Sequence, residues 1–393
     1  MAAAILNDAL TLSPAWQEIF CSLHQNPELG CREYQTAALI RRRLDVLGIP
    51  YAPAADTGTM AVIKGNFPGR TLGFRADIDA LPIQEATGLA CASQTPGVMH
   101  ACGHDLHTAA LLGAAELLWT RRDLIHGTVK LFFQPDEEGD GGAARMIAEN
   151  CMEHPHVDAM LCCHVDSSIP TGTLSTKTGP ACAASNPFTV VLHGRGSHGA
   201  KPHLGTDVIA AGAQMISALQ TISSRRVSPT DPVVVTVGSF HAGDAGNVLP
   251  EEARFSGMIR TMSAETREQV TSDFRSIVIN TAAAMGVTAD IKMTDGYPCC
   301  YNDPGITSLL QTAAAKILGR ENVLPQADPT LGTDDFGYFS ALVPGCYYYI
   351  GVGNADKGFT YPNHNPHFAV DPDALPLAAA VEAQAALDFL REG

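Results

Sequence analysis

Thr128-Val129-Lys130-Leu131-Phe132-Phe133-Gln134-Pro135-Asp136-Glu137-Glu138 begins as a short apolar strand and runs into three consecutive carboxylates. On either side of it, strands alternate with helical stretches: Thr71 to Arg75, Asp105 to Trp119, Ala143 to Asn150, then Asp158 to Val165. That alternation predicts an α/β domain built on a mostly parallel sheet. Upstream, Ser13-Pro14 reads as the N-cap and first residue of a helix ending near Leu23. Arg32 to Leu47 reads as a second helix, stopped by Gly48 and Pro50.

The pattern changes near Asn186. Strand Phe188 to His193, helix Asp207 to Ile222, strands Val233 to Phe240 and Ala253 to Arg260, helix Ala264 to Ala284 and strand Val287 to Met293 follow in order. This is the β-α-β-β-α-β succession of a ferredoxin-like unit. After Tyr297-Pro298 the alternation resumes with helix Ile306 to Leu318, strand Cys346 to Ile350 and helix Leu375 to Leu390. The expected organisation is a discontinuous larger domain, residues 1–185 and 296–393, interrupted by a smaller one at 186–295.

A chain of 393 residues has room for two buried cores, and 46% hydrophobic residues are enough to fill them. The excess of 41 acidic over 25 basic side chains, net -16, argues against nucleic acid or an anionic membrane as partner. No apolar run approaches a membrane span, since even Thr108 to Trp119 contains Glu116. Met1 to Asp8 lacks the basic start and length of a secretory signal. Eleven cysteines, an odd number with adjacent pairs at Cys162-Cys163 and Cys299-Cys300, do not form a disulfide framework. Reduced thiols in the cytoplasm are the expectation.

Ionisable residues gather at strand ends. Thr71 to Arg75 leads to Asp77 and Asp79, Thr128 to Gln134 to Glu137 and Glu138, and Asp158 to Val165 carries His164 near its end. Cys346 to Ile350 leads into the loop bearing His364 and His367. Open α/β sheets bind ligands at the carboxyl ends of their strands, so these groups converge on one rim. His100-Ala101-Cys102-Gly103-His104-Asp105 adds a thiol and an imidazole that, in an extended segment, point the same way. Thiol, imidazole and carboxylate together suit zinc or another transition metal better than calcium or magnesium. Each residue alone has a plainer explanation. Glu137-Glu138 resembles a solvated acidic turn and Asp105 a helix N-cap. His100, His107 and His367 read as core or supporting residues, and Cys162 and Cys163 as small strand residues. The convergence decides between the two explanations.

At these residues the chain resembles a known family. Met99-His100-Ala101-Cys102-Gly103-His104-Asp105-Leu106-His107-Thr108 is similar to the metal motif of the peptidase M20 metallopeptidases. Its nearest likeness is the amidohydrolase branch, of aminoacylase, hippurate hydrolase and auxin-conjugate hydrolase types. Five further motifs agree in order: His24 to Gly30, Arg75 to Pro82, Gln134 to Gly139, Gly196 to His203 and His364 to Phe368. Six ordered motifs are far more specific than one.

The resemblance implies a catalytic α/β domain interrupted by a ferredoxin-like lid that forms a homodimer or higher homo-oligomer. It implies two divalent ions (zinc, manganese, cobalt or nickel) held by Cys102, His104, Glu138, His164 and His364, with Glu137 as general base. His198 of the lid would stabilise the oxyanion, reaching across from a partner subunit. Asn247 and Arg260 would hold the carboxylate of a small N-acyl amino acid. Arg260 reads equally well as a partner in a surface salt bridge. A dipeptidase, aminopeptidase or carboxypeptidase of the same family is the alternative enzyme, though the dipeptidase and aminopeptidase branches generally use aspartate where Cys102 stands. A non-catalytic metal or redox protein has no need of Glu137. Three departures from the branch, Asn363 for leucine, Asp136 for alanine and Asp140 within a glycine run, bear on substrate preference and metal tuning.

Overall fold

The structure, a computed structural model, describes residues 1–391. Two compact units emerge. The larger comprises Met1–Ala181, Cys300–Asp328 and the chain from Tyr338 onward; the smaller comprises Cys182–Cys299 and Pro329–Gly337.

The larger unit is α/β. Its eight-stranded sheet runs Tyr51–Ala54, Gly58–Lys64, His126–Gln134, Phe67–Asp77, Ala159–Pro170, Gly345–Gly353, Leu174–Thr176, Val323–Pro325. The four strands from His126–Gln134 to Gly345–Gly353 are mutually parallel. The first two strands form an antiparallel hairpin that also pairs antiparallel with His126–Gln134. This hairpin was not foreseen; Ala55 and Asp56 turn it with positive φ of 47° and 67°, the geometry of a primed turn.

Helix His104–Trp119 is buried almost all round, which explains its lack of a polar face. It packs against Ala2–Gln25 and the alanine-rich Ala374–Phe389. Gly113 lets the backbones approach, since a Cβ there would lie 2.9 Å from the Trp16 ring. The first helix corrects an expectation: it begins at Ala2 and continues through Pro14. Proline costs a helix interior about 3 kcal/mol by losing one hydrogen bond and crowding the preceding turn. Burying Ile5, Ala9, Trp16 and Phe20 on one face outweighs that, since each large apolar side chain contributes about 1.5–3 kcal/mol. The second helix starts at Tyr34 and ends at Gly48, whose φ of 74° is the left-handed cap.

The smaller unit has a four-stranded antiparallel sheet in the order Val234–Ala242, Glu252–Thr261, Ala184–His193, Thr288–Met293. Two helices, Val208–Leu219 and Ala264–Ala284, pack with it around Phe188, Leu192, Phe255 and Phe274. Asp207 and Ser263 cap them by accepting backbone N–H bonds. Among the described residues no helix is long and apolar enough to cross a membrane, and the eleven cysteines are free.

Candidate active site

Parallel strands deliver their carboxyl ends to one edge, and the functional groups follow from the register. Asp77 sits opposite Gln134 at the ends of neighbouring strands, and His164 lies two residues past Cys162, the partner of Arg75. His164 is inside its strand, which runs on to Pro170, not at its end.

Arg75, fully buried, donates from Nη1 to Asp77 Oδ2 at 2.6 Å and from Nε to Gln134 Oε1 at 2.8 Å. Asp77 Oδ1 accepts from His107 Nδ1 at 2.6 Å, while His107 Nε2 accepts the Val165 N–H at 2.9 Å. Both nitrogens of His107 are thereby committed, in keeping with the supporting role read for it. Burial opposes the charge on Asp77, yet His104, Arg75 and His107 hold its carboxyl well below the usual range.

Cys102 and His104 do not lie on an extended segment. Gly103 between them is left-handed, φ 85°, and a Cβ there would lie 2.5 Å from Val165 Cγ2. Gly103 is also the helix N-cap, so Asp105 falls in the first turn and is not the cap. His104 donates from Nδ1 to the Asp79 carbonyl at 2.9 Å, leaving Nε2 buried with no hydrogen-bond partner. His164 donates from Nδ1 to its neighbour's carbonyl, Val165 O, at 2.8 Å, which turns Nε2 toward Cys102 Sγ, 3.5 Å away. A ring that donates from one nitrogen and bares the other is oriented as a metal ligand is.

Glu137 and Glu138 are not a solvated turn: Glu137 is buried and Glu138 half-buried. The Glu138 N–H donates to Asp79 Oδ2 at 3.0 Å. His364 Nε2 comes within 3.0 Å of Glu138 Oε1 without a hydrogen bond's directionality. Among the donor clusters that result are two triads, Cys102–His104–His164 and Cys102–Glu138–His364, each with its ligand atoms within 4.8 Å of one another. They share Cys102. Nitrogens and oxygens crowded together without hydrogen bonds among them need a cation to satisfy them, so the donor set fits a divalent metal.

The electrostatics agree. Burial would lower His104, but Asp77 and Asp79 raise it well above its ordinary value, so the pocket favours positive charge. Burial and His107 lower His164 to about 3, keeping it neutral and able to ligate. Burial pushes the Cys102 thiol up to about 12, so a cation must displace its proton.

The departures also acquire neighbours. Asn363 Nδ2 donates to Cys102 Sγ at 3.5 Å. Asp136, buried with φ 57°, accepts from Arg145 Nη2 at 3.0 Å and from Cys31 Sγ–H at 3.2 Å. Its Oδ1 fills the space beside two glycines: a Cβ would lie 2.1 Å from it at Gly30 and 2.3 Å at Gly139. Asp140 is exposed. His100 is buried with neither ring nitrogen bonded, and burial lowers it to about 4. His367 is exposed beside Tyr361, so of the two placements expected for it, core or supporting, the core one does not hold.

In the smaller unit, the Ser197–His198 strand pairs with Val248–Leu249, His198 opposite Val248. Asn247 lies beside them, its carbonyl accepting the Gly199 N–H at 2.7 Å. His198 Nδ1 accepts the Ala200 N–H at 3.0 Å, so its proton sits on exposed Nε2 as a free donor. Arg260 lies in Glu252–Thr261 and donates only to its neighbour's carbonyl, Ile259 O, at 3.4 Å; among the described residues no carboxylate pairs with it.

Comparison with known proteins points to one family. Residues 73–388 match Peptidase family M20/M25/M40. The chain is 38% identical to Thermostable carboxypeptidase 2 of Saccharolobus solfataricus over 388 residues, 98% of this chain and 97% of that protein. It is 41% identical to N-acetyl-L-cysteine deacetylase of Bacillus subtilis over 354 residues, 90% of this chain and 83% of that protein. A solved dinuclear metal-binding peptidase of the M20 family from Bacillus subtilis superposes with a TM-score of 0.83 and 33% identity, covering 97% of this chain and 99% of that one. The family resemblance carried by the motifs therefore holds: this chain belongs to peptidase family M20/M25/M40 and is a hydrolase of amide bonds.

Proposed function

We propose that the chain is a metal-dependent amidohydrolase that splits N-acyl amino acids, N-acetylated or hippurate-like, into a carboxylic acid and a free amino acid. The observation that carries this reading is the pair of donor triads sharing Cys102, with buried Glu137 alongside. Cys102, His104, Glu138, His164 and His364 would hold two divalent ions, of zinc, manganese, cobalt or nickel. When bound, the ions supply Lewis acidity and favour ionisation of water near neutral pH. Glu137 takes the proton of the attacking water and hands it to the departing amine nitrogen. His198 donates its Nε2–H to the developing oxyanion. Arg260, without a carboxylate of its own, grips that of the amino-acid half together with Asn247.

The strand order of the smaller unit supports a ferredoxin-like lid over residues 186–295, which also serves as a dimerisation surface in a homodimer or higher homo-oligomer. Arg260 lies near the end of Glu252–Thr261 and His198 opposite Val248, before its start, so at the rise of a strand more than roughly 25 Å of chain separates them. One small substrate cannot touch both ends from a single chain, so His198 and the Asn247 beside it serve the rim of a second copy. Free thiols throughout favour the cytoplasm.

The test of activity is turnover of N-acetylmethionine and hippurate by protein loaded with Mn²⁺, Co²⁺ or Zn²⁺. Absence of release from any N-acyl amino acid would remove this reading. The second reading, a carboxypeptidase, is favoured by the 38% identity to Thermostable carboxypeptidase 2. It requires faster release from peptides than from simple acyl amino acids. For the shared site, His198→Ala and Glu137→Gln are each expected to be nearly inactive. Their co-expressed heterodimer should recover up to about half of the activity, as independent sites do. A purified heterodimer as inactive as its parents would place His198 outside the partner's chemistry.

A further inference from the structure

The motif His24 to Gly30 takes no part in the chemistry above. Its Glu28 accounts for itself: the carboxylate accepts the N–H groups of Gln35 and Thr36, at 3.1 and 2.9 Å, at the start of the next helix. His24 does not. It lies in the last turn of Ala2–Gln25, buried, with both ring nitrogens on carboxylates. Nδ1 is 2.6 Å from Asp105 Oδ2 and Nε2 is 3.3 Å from Glu85 Oε1. Burial opposes a charge on the ring, but the two carboxylates raise it to about 10, so His24 is an imidazolium. The helix termini favour the same polarity: a cation at the end of one helix meets an anion in the first turn of another.

Each carboxylate leads to a different donor-bearing segment. Asp105 directly follows His104 in the helix that begins there, and its Oδ1 accepts the Leu106 N–H at 2.9 Å. Glu85 anchors the loop between Leu81 and Met99, accepting the Ser93 N–H at 2.6 Å and the Thr87 hydroxyl. The next residue of that loop, Ala86, donates its N–H to Pro366 O at 2.8 Å, two residues from His364. His364 in turn donates its N–H to Ala101 O at 2.8 Å, closing the circuit beside Cys102. His364 needs such support, because its φ of 65° is unfavourable for a residue with a side chain.

We propose that His24 is a positioning residue whose ring, held at both nitrogens, ties Asp105 to Glu85 and so keeps the His104 helix start and the His364 loop in metal-binding register. The inference rests on the reading of Cys102, His104, Glu138, His164 and His364 as metal donors. Without the ring, Asp105 and Glu85 lose the partner they share, and the Glu85 loop is the side free to move. The His364 triad is then the one that loosens.

The experiment uses the full chain, stripped of metal and titrated with Zn²⁺ against a chromophoric chelator, alongside kcat and KM at saturating metal. His24→Gln should weaken the lower-affinity ion by about 10–100-fold, the range for groups that orient ligands, while kcat at saturation changes only a few-fold. Glu85→Gln, which leaves the Asp105 contact alone, should weaken the same ion in the same direction and stands in if His24→Gln does not fold. Unaltered Zn²⁺ affinity in a variant whose metal-free melting temperature has dropped would overturn the proposal, since His24 would then only brace the fold. Cys102→Ala, measured in parallel, separates the two failures. If it keeps full metal, the donor reading has failed; if it loses metal while His24→Gln binds normally, only the role of His24 has.

Discussion

Asp77 and Glu382 are both buried carboxyl groups of the larger unit, and their ionisation is pushed in opposite directions. Burial alone would raise both. Around Asp77, His104, Arg75 and His107 overcome it and keep the group charged. Glu382, inside Ala374–Phe389, has the Tyr348 hydroxyl for company and no cation, and burial pushes it up to about 8. One carboxyl sits where the fold assembles charge; the other is a neutral acid packed among alanines. Clusters of buried charge that hold one another ionised mark functional sites more reliably than burial or acidity alone.

Substitutions on the two sides should therefore separate function from stability. The largest effect belongs to Cys102→Ala, which removes the sulfur common to both triads: activity should vanish together with bound metal. Full metal occupancy in the purified variant would break the assignment. Glu137→Gln should keep its metal and lose turnover by about 10²–10⁴-fold, the usual range for a general base. If more than roughly half of the wild-type kcat survives, against that range, another group is the base. Asp77→Asn is the sharper test of the comparison, because it leaves every donor in place. Metal affinity should fall about 10–100-fold through loss of orientation around His104. Binding equal to wild type would mean that the charge at Asp77 serves only Arg75 and His107.

Glu382→Gln should leave kcat and metal binding unchanged. Its effect lies in stability against pH. The folded group titrates near 8, above the ordinary 4.5, so wild-type stability is full below the unfolded value and falls as pH rises toward 8. The glutamine variant lacks that slope, and by pH 8 the difference should be on the order of a few kcal/mol, since each unit is about 1.4 kcal/mol. Thermal midpoints of the two proteins that run parallel from pH 5 to 8.5 would show that Glu382 is not buried as an acid.

The sequence shows the strands and most helices because their apolar periods are undisturbed. It does not show the helix passing through Pro14, since local propensity there is overridden by a buried face that only tertiary packing supplies. The hairpin at Ala55-Asp56 was missed because neither residue is the glycine or asparagine that usually announces a primed turn. At the site, donor residue types and their order are legible, including the shared direction of Cys102 and His104. The means is not: a left-handed Gly103 turns the chain where an extended segment was expected. Asp105 looked like a cap because its partner, His24, is eighty-one residues away. Asn363 and Asp136 stood out only as departures from a pattern, and their contacts with Cys102 and Cys31 depend on segments distant in the chain.

The seat of Asp136 also constrains how this sequence can drift. Its Oδ1 occupies the volume that a side chain at residue 30 or 139 would need, and Arg145 and Cys31 hold it there. While aspartate stands at 136, Gly30 and Gly139 are frozen, although neither has the positive φ that would demand glycine on its own account. A shorter residue at 136 releases Gly139 and relieves Gly30, where the backbone Cα of residue 136 still lies 3.3 Å from a Cβ. Descent through this region has a direction: position 136 must change first, and once either glycine has gained a side chain, the return to aspartate is closed.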